Sequence, residues 1–106
     1  ARLEHRIAGA DVNPYLALAA ILGGMLWGIA HDAPLPPPMD APGAAPAEPL
    51  TADWRTAVDR FAVSDIAADI FGEVYRDAYA AVRRDEIAKL TTQITRLEYR
   101  TYLTRL

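Results

Sequence analysis

The stretch PYLALAAILGGMLWGIA, residues 14–30, holds no charged side chain. Successive residues of an α-helix are rotated by about 100°, so a helix over this stretch is apolar around its whole circumference. Such a helix is stable in water only when most of its surface is packed. Its start has a mechanism: Asn13 can cap free backbone N–H groups, and Pro14 at the first helical position gives up no bond it would have made. The pattern runs to about Ile29. It falls short of the roughly 20 apolar residues that cross a bilayer. Asp11 precedes it and His31-Asp32 follow, so it lacks the basic flanks of a signal peptide or stop-transfer segment. A buried core helix is expected, and the chain's 106 residues can bury only a little over about 60% of their unfolded surface. Packing inside something larger than this fragment is the implied setting.

The flanking segments have different periods. ARLEHRI, residues 1–7, alternates charged and mostly apolar side chains with the two-residue period of a strand, and AGAD then breaks it. A lone strand cannot satisfy its own edges, so Ala1–Ile7 is expected to be mobile, paired between chains, or docked on further sheet. Residues 32–50, DAPLPPPMDAPGAAPAEPL, carry seven prolines and a glycine, which no helix or interior strand survives. They read as a surface loop with a polyproline II run over Pro34–Pro38, or as a ligand for a proline-recognition module. Thr51 is placed to cap the next helix, in which Trp54, Ala57, Val58 and Phe61 form a stripe ending near Val63. Ser64 can cap DIAADIF, and Gly72 stands where a left-handed C-terminal residue is wanted. The stripe Val74, Tyr75, Ala78 and Val82 then gives way to Ile87 and Leu90, a slip that predicts a rotating buried face. Thr95 and Glu98 match a capping box for a last helix over Arg96 to about Leu103.

Charge excludes some partners. Eleven basic and fourteen acidic residues leave a net charge of −3, which gives no general attraction to nucleic acid. The basic residues after Val82 (Arg83, Arg84, Lys89, Arg96, Arg100 and Arg105) are interspersed with Asp85, Glu86 and Glu98 and read as a solvated face. With no cysteine there are no disulfides and no Cys-ligated zinc, in keeping with a cytoplasmic protein. His5 falls on the other side of the strand from Glu4 and reads as a packed or hydrogen-bonded histidine rather than a ligand. His31 lies just past a helix end, where partial positive charge is favourable. Trp27, Trp54, Phe61, Tyr75 and Tyr79 recur at helical spacing as core or interface.

Chemistry concentrates at the N-terminus. Side chains two apart in a strand share a face about 6.5 to 7 Å apart, so Arg2, Glu4 and Arg6 line one side. A carboxylate can hold Mg²⁺ together with substrate phosphates, and an arginine fork matches phosphate or carboxylate oxygens. Taken alone, R-x-E-x-R is more often an exposed strand face with marginal salt bridges.

The longer run RLEHRIAGADVNPYLALAAILGGMLWGI, Arg2–Ile29, closely resembles the late catalytic segment of the glutamine synthetase family, in which an R-[IL]-E-x-R strand leads through G-A-D-x-N-P-Y-L into a buried helix. The form with EHRIAGAD looks most like the members that join glutamate to putrescine or other polyamines. FGEVYRDAYAAVRRDE and TRLEYRTYL are more loosely similar to the family's closing helices, whereas Leu50-Thr51 departs from its usual Leu-Pro. The resemblance implies an ATP-dependent ligase in which the glutamate side-chain carboxylate is phosphorylated and an amine, a polyamine such as putrescine or else ammonia, displaces phosphate. It also implies that Glu4 binds a divalent metal (Mg²⁺ or Mn²⁺), that Arg6 contacts glutamate and its developing phosphate as a catalytic and substrate-binding residue, and that Arg2 lies on the nucleotide side.

The expected fold is therefore mainly α: one N-terminal strand plus four or so helices, the C-terminal fragment of an α+β catalytic domain. Within it, residues 1–31 form the active-site strand and buried helix, 32–50 the proline-rich loop and 51–106 the closing helices. The remaining metal, nucleotide and substrate residues belong to sequence not present, so the fragment alone is expected to be inactive, while the parent is expected to form a ring-shaped homo-oligomer. The alternative is a non-catalytic helical assembly module or degenerate paralogue, in which the apolar helix serves association.

Overall fold

The computed structural model describes residues 4–38, 40–42 and 49–103. Among them are five helices: α1 (Pro14–Ala30), α2 (Trp54–Ala62), α3 (Asp65–Phe71), α4 (Glu73–Thr91) and α5 (Arg96–Leu103). Most begin on a side-chain oxygen that takes up free backbone donors. Asn13 Oδ1 accepts the N–H groups of Tyr15 and Leu16 at 3.0 and 3.3 Å, and Ser64 Oγ accepts that of Ala67 at 3.1 Å. For α2 the cap is Asp53 and not Thr51: Asp53 Oδ2 accepts from Thr56 N–H at 2.7 Å and Thr56 Oγ1 at 2.6 Å. Thr51 acts one step earlier, its Oγ1 accepting the Asp53 N–H at 3.1 Å and so holding the capping residue in place. At α5 the capping box is reciprocal, with Thr95 N–H donating to Glu98 Oε2 at 2.8 Å and Glu98 N–H to Thr95 Oγ1 at 3.1 Å.

The helix ends follow backbone rules. Past α1, Asp32 takes φ 47°, and the Ala33 and Asp32 N–H groups donate to Gly28 and Ile29 carbonyls at 2.9 and 3.3 Å, the paired bonds that close a helix C-terminus. Gly72, between α3 and α4, has φ 83° and ψ 146°. That differs from the left-handed helical geometry expected there; it lies beside the extended positive-φ region open almost only to glycine, which lets α4 start one residue after α3 ends.

Of the strand expected over residues 1–7, the described residues 4–7 form none. Residues 4–7 have no regular structure and Ala1–Leu3 lie outside the described residues. A strand is held by a ladder to its neighbour, and there is no second strand among the described residues to supply one. The 33–38 stretch likewise holds neither helix nor strand.

Packing centres on α4. α2 and α3 both lie against it, and α1 packs on α3. The core is Val58, Ala80 and Ile87, with Phe61 and Ala62 half-buried beside it. Ala80, 1% exposed, lets the α2 and α4 backbones approach. Outside the crossing, Arg84 Nε and Nη2 donate to Asp59 Oδ1 at 3.1 and 2.8 Å, an exposed pair of little energetic weight. The inward side of α4 is not the predicted stripe: Val74 and Val82 are exposed, and Arg76, Tyr79, Ala80, Arg83 and Ile87 turn inward. These positions keep helical spacing throughout, so the buried face does not rotate. The apparent slip came from following apolar residues alone, when two arginines occupy the continuing face with their hydrocarbon stems packed. Arg83 is accordingly half-buried over the Tyr79 ring, 5.0 Å from its centroid, and not part of a solvated face.

α1 forms where expected but is covered on one side only, and none of its residues is fully buried. The contact with α3 is close: a Cβ on Gly23 would stand 2.5 Å from Ile70 Cγ2, while one on Gly24 would meet nothing within 4 Å. The radius of gyration, 18.3 Å, exceeds the about 13 Å of a compact domain of this length.

Two outcomes are expected. Gly24→Ala should stabilise the chain by about 0.5–1 kcal/mol through helix propensity. Gly23→Ala should instead lower stability by about 1 kcal/mol, because overpacking against a β-branched neighbour exceeds the same gain; paired denaturant titrations read both. Acid should fray the start of α5. The Thr95 backbone and hydroxyl hydrogen bonds hold the Glu98 carboxyl below its ordinary value. A depressed folded-state value contributes stability that is full above the unfolded value and is lost as pH falls through the folded one. Hydrogen exchange of α5 amides should therefore be flat above about pH 5.5, corrected for intrinsic rates, and accelerate below about pH 4.5, and Glu98→Ala should abolish that step.

Candidate functional site

Glu4 and Arg6 are brought together as their spacing demands. Arg6 Nε and Nη2 both donate to Glu4 Oε1, each at 2.9 Å. The side chains are 51% and 81% exposed, so this charge-assisted pair lies in solvent. Arg2 lies outside the described residues. Two residues beyond Ile7 the chain turns, with the Val12 N–H donating to the Gly9 carbonyl at 3.3 Å, and Asn13 then begins α1. The short AGAD turn thus ties the Glu4–Arg6 pair to the start of the apolar helix.

The donor type at Glu4 suits Mg²⁺ or Mn²⁺, which take hard carboxylate oxygens. The number does not suffice: among the described residues no group of three or more carboxylates and imidazoles comes together. A divalent cation is therefore not held by the described part of this chain alone. His5 is exposed. His31 has a structural place, its ring stacked on Trp27 at 4.2 Å with Nδ1 2.9 Å from the Trp27 carbonyl, which also accepts the His31 N–H at 3.0 Å.

A second group joins Phe61, Tyr75 and Tyr79, expected as core or interface, with Phe71, which the sequence did not single out. Phe61, Phe71, Tyr75 and Tyr79 form a chain of ring contacts with centroids 5.4 to 6.1 Å apart. With Val12, Leu16, Ala17 and Ala20 they line an open apolar groove of about 230 Å³ between α1 and the α2–α4 layer. At its edge Arg83 Nη1 pairs with Glu86 at 2.8 Å, while its buried Nε has no hydrogen-bond partner. Arg76, also turned inward, pairs with Asp77 through Nε and Nη2 at 2.9 Å. Their signal in the sequence was a charge at positions 76 and 83, seven apart, on the same helical face as Tyr79, Ala80 and Ile87. No helix is long and apolar enough to cross a membrane among the described residues.

Residues 1–102 match the family model for the glutamine synthetase catalytic domain. The chain is 34% identical over 98 residues to gamma-glutamylputrescine synthetase of Escherichia coli strain K12, covering 92% of this chain and 21% of that protein. It is 36% identical to a glutamate–isopropylamine ligase of Pseudomonas (97% and 23% covered) and 34% identical to gamma-glutamylethanolamide synthetase of Streptomyces coelicolor (93% and 22%). No solved structure matches. The chain spans about a fifth of the length of these relatives, and along nearly its whole length it belongs to the glutamine synthetase family, as a segment of the catalytic domain.

Proposed function

We propose that the chain is part of an ATP-dependent ligase that joins the γ-carboxylate of glutamate to an amine through an acyl phosphate. The observation that carries this is the R-x-E-x-R segment, with Glu4 and Arg6 in contact, leading through GAD-x-N-P-Y-L into α1 within a family match over residues 1–102. In the proposed reaction a glutamate carboxylate oxygen takes the γ-phosphoryl group of ATP and ADP leaves. The amine lone pair then attacks the acyl carbon, the nitrogen loses a proton, and inorganic phosphate leaves. Carboxylate oxygens are poor leaving groups, and phosphorylation is what makes the second step accessible.

Arg6 is the catalytic residue in this proposal. Its planar fork already engages a carboxylate, and the same two donors suit the glutamate carboxylate and the phosphate forming on it. Glu4 contributes one carboxylate to a divalent cation, Mg²⁺ or Mn²⁺, whose other ligands come from outside this segment; when bound, that ion neutralises developing phosphate charge. Arg2 serves the nucleotide side. The amine is proposed to be a polyamine such as putrescine. The three relatives are named for three different amines at nearly equal identity, 34 to 36%, so overall similarity does not rank them. The local EHRIAGAD run is what favours putrescine. A cytoplasmic, ring-forming homo-oligomer completes the proposal for the whole enzyme.

In a full-length enzyme carrying this segment, Glu4→Ala should lower turnover at least about 100-fold while shifting stability by less than about 1 kcal/mol, because the pair it breaks is exposed. Turnover within a few-fold of the unchanged enzyme would remove Glu4 from the site. Arg6→Lys should be comparably severe, since a point charge cannot reproduce the fork. Phosphate release from Mg-ATP and glutamate should depend on added putrescine or longer polyamines. Release with ammonium alone would reassign the enzyme to glutamine synthesis, and no release with any amine would overturn the ligase proposal.

A further inference from the structure

At the end of α1 the chain reverses. Asp32 takes φ 47°, a left-handed conformation that is unfavourable for most residues other than glycine, and the Ala33 N–H donates to the Gly28 carbonyl at 2.9 Å. From there Ala33–Leu35 turns back beside the helix it has just left. Gly24 and Gly28 lie about one turn apart and carry no side chains, so they form a floor, with Met25 and Ile29 beside it. Pro34 and Leu35 line the other side of an open groove of about 560 Å³ over that floor. Ala33 is already in place: a Cβ on Gly28 would stand 4.0 Å from the Ala33 methyl, an ordinary contact distance. Leu35 is not, being 92% exposed.

We infer that residues 33–35 are a strap that closes onto this glycine floor, with Leu35 seated against Gly24 and Met25. The lengths of the two segments agree. An extended, proline-flanked segment advances about 3.1 Å per residue, so Leu35 stands about 6 Å beyond Ala33, and four helix residues at about 1.5 Å each cover the same span from Gly28 back to Gly24. Pro34 and Pro36 hold the segment extended, which lowers the chain entropy lost on closure. Closure removes Leu35 from water together with parts of Met25 and Ile29, which are 49% and 77% exposed, and that burial drives it. The occupant is the chain's own next residue but one after a fixed hydrogen bond, so its local concentration at the groove is high. The strap concerns only this loop and its helix and stands apart from the ligase proposal.

Nuclear Overhauser contacts in the 106-residue chain test it. The Leu35 methyls should show cross-peaks to the Gly24 α-protons and to the Met25 methyl. Hydrogen exchange gives a second readout. The Ala33 amide is bonded to Gly28, a bond in which residue 35 takes no part, so Leu35→Ser speeds its exchange only where strap closure protects it. An acceleration of at least about tenfold is expected, with the α4 amides unchanged as the control for folding. Gly24→Leu should also accelerate it, by filling the floor, although the higher helix propensity of leucine would by itself slow exchange at the helix end. Absence of the Leu35 cross-peaks overturns the inference. So does an Ala33 amide that exchanges no faster in Leu35→Ser, or more slowly in Gly24→Leu, since its protection then comes from the helix end alone.

Discussion

The packing of α1 to α4 hangs on the close crossing of α2 and α4 at Ala80. A side chain of one methyl, 1% exposed, lets Val58 and Ile87 meet across the crossing, and Phe61 and Ala62 close its side. α3 is positioned by the single glycine that separates it from α4, and α1 packs chiefly on α3. This is a serial arrangement in which each helix depends on the one before it. Among the described residues the core of Val58, Ala80 and Ile87 is small for a molecule with a radius of gyration of 18.3 Å. The order of stability should therefore run from the α2–α4 pair outward to α1 and α5.

Local chemistry was legible in the sequence wherever it acts within a few residues. Asn13, Ser64 and the Thr95–Glu98 pair cap the helices assigned to them, because a capping oxygen and its target N–H are fixed by backbone geometry alone. At α2, two adjacent capping candidates compete, and Asp53 wins because its carboxylate takes both the N–H and the hydroxyl of Thr56. Face assignment on α4 was less legible. It depends on what lies opposite, and Arg76 and Arg83 occupy inward positions through their long stems, which a search for apolar periodicity passes over.

Residues 4–7, expected within a strand, form none for a different reason. Period-two alternation states which side chains share a face, and the Glu4–Arg6 contact keeps that relation. It does not supply the neighbouring strand whose N–H and C=O groups complete a ladder. The same division governs the site. The segment carries an arginine fork and one carboxylate, which is enough to be recognised and too little to hold a cation within the described residues. The site is therefore legible as a motif and incomplete as a geometry.

The exposed face of α1 joins these points. A helix apolar on every side needs covering on every side, and α3 takes only the face that carries Gly23. Whatever covers the other face also fixes the start of α1, and through the Gly9–Val12 turn it fixes where Glu4 and Arg6 can stand. Leu18, Leu22, Met25 and Ile29 are exposed on that side, so the apolar surface that a fully packed helix would bury is left open there.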